Sequence, residues 1–108
     1  MHIIETSQKI QDVMAELEKF RTRLNQFVKD KELAKATAEY DKQLAVATVE
    51  QGDVPVGIRK ELAKGVVSNY KEDMIHKEIT YKAILTNITV LEKTLNGWQS
   101  IFRHLEGV

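Results

Sequence analysis

The sequence has no cysteine and only one proline. Without cysteine there is no disulfide framework, no thiolate nucleophile and no zinc–thiolate site. Charge of one sign is also missing, because sixteen basic residues face sixteen acidic ones. That balance removes the long-range attraction that draws basic proteins to nucleic acid or anionic lipid. No apolar run approaches the length needed to span a bilayer. The opening MHIIETSQKI lacks the basic start and apolar stretch of a secretory signal, so the cytoplasm is the expected address. Catalytic signatures are absent as well. No Gly-x-Ser-x-Gly elbow is present, and Ser7, Ser68 and Ser100 have no His–acid pair at readable spacing. The glycines of Gly52-Asp53-Val54-Pro55-Val56-Gly57 are not followed by Lys-Ser or Lys-Thr, so this is a loop and not a phosphate cradle. No cofactor or metal is expected, and the chain is expected not to be an enzyme.

What the chain does have is a rhythm. Val67, Tyr70, Met74, Tyr81, Ile84, Ile88, Leu91, Leu95, Trp98, Phe102 and Leu105 recur at steps of 3 and 4, with Lys77 as the one polar rung. Such spacing belongs to a helix that keeps a narrow seam against a partner helix, as in a coiled coil. The first half repeats it through Ile10, Val13, Met14, Leu17, Phe20, Leu24 and Phe27. The frame breaks at Lys29-Asp30-Lys31-Glu32 and resumes, shifted, at Leu33, Ala36, Tyr40, Leu44 and Ala47. No Pro or Gly lies at the break, so the favoured reading is a continuous helix over about residues 6–50 whose buried face rotates midway, with a short break near Lys31 as the alternative. Thr6 and Ser7 are its candidate N-cap.

Residues 51–65 hold the only proline and form the connection, with a short helix expected over 58–64 and Gly65 as a left-handed terminator. A second long helix is expected over about 66–105, with Gly97 either admitting a neighbour or marking fraying. The fold class is therefore all-α: one domain over residues 1–108, a long antiparallel two-helix hairpin. The second helix carries a further stripe, Ile75, Ile79, Ala83, Thr86 and Val90, on the side away from the seam. A helix apolar on two faces wants two partners. The stripe, with Ile75, Ile79, Ala83 and Val90 as its core, predicts a homodimer interface and a four-helix arrangement.

Candidate chemistry is thin. His76 follows Glu72 and Asp73 at the spacing of carboxylate–His metal motifs. The seam places it off the core, and a solvated cluster is the simpler reading. Two basic groups, Lys19-Arg21-Arg23 and Arg59-Lys60-Lys64, suggest a nucleic-acid contact as the competing function. Acidic neighbours dilute both, and no aromatic platform for stacking bases accompanies them. The residues left without a structural task are Val54, Pro55, Val56, Arg59 and Lys60 at the tip, then Ile101, Arg103 and His104 near the end. They are the candidate partner-binding sites.

Ala63-Lys64-Gly65, Tyr81-Lys82-Ala83-Ile84 and residues 95–105 (LNGWQSIFRHL) resemble a group of small helical-hairpin proteins of phages and prophages of Gram-positive bacteria, encoded among early replication and recombination genes. The likeness covers most of the chain but rests on packing and capping features. It implies a phage setting in the host cytoplasm and no catalytic residues. The implied partner is an unidentified phage or host protein, either replication or recombination machinery or a defence system to be inhibited. The secreted hairpins that carry Trp-x-Gly in the turn are a poor match, since Trp98 here follows Asn96-Gly97 near the end.

Overall fold

The computed structural model describes residues 2–107, and every regular element in them is an α-helix: α1 (Ile3–Lys29), α2 (Glu32–Glu50), α3 (Val56–Val66) and α4 (Ser68–Glu106). The all-α helical-hairpin class read from the seam is thus the observed one. No described helix is long and apolar enough to cross a membrane. The chain packs as two compact units. One joins the chain up to Gln26 with the chain from Lys82 onward, and the other is Phe27–Tyr81.

In the first unit, α1 and the second half of α4 present the rungs of the seam. Leu17, Ile84 and Ile88 are buried; Ile10, Val13, Phe20, Leu24, Leu91, Leu95, Trp98 and Phe102 are half-buried. Met14, counted with the seam, is instead more than half exposed. Thr6 takes a rung that the sequence reading assigned to a cap. The helix begins three residues earlier than expected, at Ile3, and the His2 ring Nδ1 accepts the Ile4 N–H at 3.1 Å. Thr6 then lies one turn inside, fully buried, with its hydroxyl donating to the His2 carbonyl at 3.1 Å. A threonine whose hydroxyl is satisfied by the preceding turn can be buried almost as an apolar residue.

The second unit corrects the expected continuous first helix. α1 stops at Lys29, and Lys31 adopts the left-handed conformation (φ 54°, ψ 39°) before α2 begins. The physical reason lies in the frame. Phe27 and Ala36, both buried, are nine residues apart, which at about 100° per residue would set them on opposite sides of one helix. The turn at Lys31 resets the phase, so that both bury inward within the unit. Phe27 stacks on Tyr81, with ring centroids 5.8 Å apart and planes at 28°. Glu32, the first residue after the turn, meets Lys77 at 3.3 Å. That contact accounts for the polar rung.

Ala47, Ala63 and Val67 form the buried centre of this unit, with Tyr40, Leu44 and Tyr70 packed around it. The Lys71 ammonium sits 4.9 Å from the Tyr40 ring centroid, a cation–π contact. The short helix runs over Val56–Val66, longer at both ends than 58–64, with Pro55 at the N-cap position. Gly65 is not a left-handed terminator: the only positive-φ glycine among the described residues is Gly52, at 25°. The corner between α3 and α4 is Val67 alone, at φ −102° and ψ 19°, its N–H bonded to the Ala63 carbonyl at 3.1 Å. Its side chain is buried in the core, so packing turns the chain where the sequence suggested a glycine would.

Candidate functional site

The tip is built by a turn that needs Gly52 and a helix that starts after Pro55. Gly52 bonds back to the Val49 carbonyl at 3.2 Å, and Val54 to that of Gln51 at 3.1 Å. The Pro55 carbonyl then accepts the N–H groups of Ile58 and Arg59 at 3.0 and 2.9 Å, opening α3 where proline has no N–H to give.

Arg59 corrects the expectation that it is free. One guanidinium nitrogen, Nη2, donates to the Gly52 carbonyl at 2.7 Å and to that of Val54 at 2.9 Å, and Nε donates to Val54 at 3.2 Å. The side chain reaches back over the turn and ties its two ends together. Arg59 and Val54 are both half-buried. Pro55, Val56 and Lys60 are exposed, Val56 at 77%. Lys64, beside them, pairs with Glu61 at 3.2 Å.

The other expected group lies in the first unit, in the last turns of α4. Ile101, Arg103 and His104 are exposed, while Trp98, Phe102 and Leu105 turn inward as rungs. Arg103 makes one long contact, 3.5 Å to the Ser100 hydroxyl. The two expected groups therefore belong to different units.

The outer stripe of α4 is exposed along its length: Ile75, Ile79, Ala83, Thr86 and Val90 all face away from the buried rungs. Glu72, Asp73 and His76 are exposed too, and no group of three potential metal ligands converges among the described residues. On α1, Lys19 is held by Glu16 at 3.2 Å and Arg21 faces Glu92 at 3.8 Å. Most of the cations behind the nucleic-acid reading thus already have carboxylate or carbonyl partners in the chain.

Two features escaped the sequence reading. The first is the Glu32–Lys77 pair, for which the only signal was a lysine on an otherwise apolar ladder. The second is an apolar surface on α2 and α3. Val46 and Val49 on α2, and Ile58, Leu62 and Val66 on α3, are all substantially exposed, Val49 at 76%. The two helices pack against each other through Ala47 and Ala63. The 58–62–66 spacing is a helical stripe, and Ile58 and Leu62 were legible as one face. Only the structure shows that Ala63, and not that face, is the buried one.

Fold and surfaces together define an all-α helical hairpin with exposed apolar faces and no convergent polar chemistry among the described residues. No family model, curated protein or solved structure matches the chain.

Proposed function

We propose that this chain is a non-enzymatic interaction module that works by binding other proteins, first a second copy of itself and then a separate partner at the α2–α3 tip. The observation that carries the reading is the number of large aliphatic side chains outside a seam that is already filled. Val49 on α2 and Val56, Ile58, Leu62 and Val66 along α3 are exposed, as are Ile75, Ile79 and Val90 along α4. Large exposed apolar side chains repeated along a helix face, as at 58–62–66 and 75–79, are a mark of interaction sites in soluble proteins.

The 3–4 rhythm of the rungs supports reading the hairpin as a coiled coil. The resemblance to phage hairpins supports a setting in the infected cell's cytoplasm, with a replication or recombination factor or a host defence protein as the separate partner. The competing nucleic-acid reading is weakened by the engagement of Arg21, Arg59 and Lys64 within the chain.

Affinity capture from infected cells, comparing the natural chain with a double Ile58→Asp, Leu62→Asp variant, tests the tip. A protein retained by the natural chain and lost by the variant is the expected result. Equal capture by both places the partner elsewhere. A gel shift with duplex or single-stranded DNA that weakens steeply as salt rises would replace this reading with the nucleic-acid one.

A further inference from the structure

We propose that α4 pairs with α4 of a second copy of this chain, antiparallel, about a two-fold axis between Lys82 and Ala83. The proposal rests on the interaction-module reading and adds an orientation and a register to it. It concerns α4 alone, one uninterrupted helix from Ser68 to Glu106.

At about 100° per residue, the stripe continues beyond its apolar centre to Glu72 and Ser68 on one side and to Lys93 and Gly97 on the other. All of these are exposed. Glu72 and Lys93 make no hydrogen bond or ion pair among the described residues.

Charge then selects the direction. In a parallel two-fold pairing every stripe residue meets its own copy, which sets Glu72 against the partner's Glu72 and Lys93 against the partner's Lys93. In the antiparallel pairing Glu72 meets the partner's Lys93, twice by symmetry. The same register brings Ile75 to the partner's Val90 and Ile79 to the partner's Thr86. Sliding by one helical turn, so that Ile79 meets the partner's Val90, leaves Ile75 opposite the partner's Thr94 and Glu72 opposite the partner's Gly97. That shift loses both ion pairs.

Gly97 supplies an independent observation. A glycine inside a helix weakens it, and the space where its Cβ would stand has no neighbour within 4 Å. In the proposed register Gly97 lies opposite the partner's Ser68, where two small residues let the backbones come close. Lys82 sits beside the axis near the partner's Lys82, but it already has an interaction within its own chain. Glu78, one turn before it, balances the charge along that edge.

Sedimentation of the full-length chain, 12.4 kDa, tests this. The natural chain is expected to sediment at twice its own mass. Glu72→Lys and Lys93→Glu should each weaken the dimer about tenfold or more by setting like charges together, with helicity by circular dichroism unchanged. Mixing the two single variants, or combining both changes in one chain, should restore it, since opposite charges then meet again. Ile79→Asp, on the apolar centre, should abolish the dimer. A natural chain that stays at 12.4 kDa up to millimolar concentration overturns self-association itself. A dimer indifferent to both charge reversals overturns this direction and register and leaves self-association standing.

Discussion

In the unit that joins the start of the chain to its end, the buried rungs are large: Leu17, Ile84 and Ile88. In the unit over Phe27–Tyr81 they are small, Ala36 together with the central Ala47, Ala63 and Val67, and only Phe27 is a large buried group. The first unit gains stability by removing apolar area from water, in proportion to the size of each rung. Alanine hides little area, so the second unit depends on close helix approach and on fixed chain geometry. It accordingly holds the left-handed Lys31, the Arg59 clasp and the Glu32–Lys77 pair. One part of this molecule is held by bulk, and the other by shape.

Cutting a large rung gives the largest effect. Ile84→Ala is expected to cost about 3 kcal/mol in urea unfolding, as transfer loss plus the cavity left behind. The opposite change probes the other unit. Ala63→Leu should cost about 2 kcal/mol because a fully buried alanine contact has no room for three more carbons. If Ala63→Leu unfolds at the same urea concentration as the natural chain, the distinction between bulk and shape fails.

Next comes the clasp. Arg59→Ala should lower stability by about 1 kcal/mol, its carbonyl partners at the turn being partly open to water. Hydrogen exchange should quicken at the start of α3 and in the turn, while α1 stays protected.

Lys31→Gly sharpens the comparison in the other direction. A non-glycine residue in the left-handed region carries a steric cost of about 1 kcal/mol, so this variant should melt higher than the natural chain. The smallest effect is the Glu32–Lys77 coupling. A double-mutant cycle with Glu32→Gln and Lys77→Met is expected to return about 0.5 kcal/mol, since both side chains remain about one-third exposed.

The ladder from Val67 to Leu105 was legible because spacing alone defines a helix face, and every rung the sequence pointed to is buried or half-buried. The places that were not legible share one cause, a local signal overruled by packing. Thr6 has the chemistry of a cap and the position of a rung, and position prevailed. Gly65 has the chemistry of a terminator, but Val67 two residues later has the better anchor in the core. The turn at Lys31 contains neither Gly nor Pro, so only the phase conflict between Phe27 and Ala36 announced it. At the candidate site, exposure of Ile101 and the α4 stripe followed from the heptad frame, and that of Val56 from its place in the connection. The engagement of Arg59 did not, because a side chain folding back across seven residues leaves no periodic trace.

The turn at Lys31 also decides where this chain can change length. A residue inserted within α4 would rotate everything beyond it by about 100° and bring the outer stripe toward the interior. Between Asp30 and Lys31, both exposed, an extra residue would enlarge a turn that already uncouples the frames on either side. Insertions and deletions among natural variants of this protein should therefore collect there and at Gly52, with α4 keeping its length.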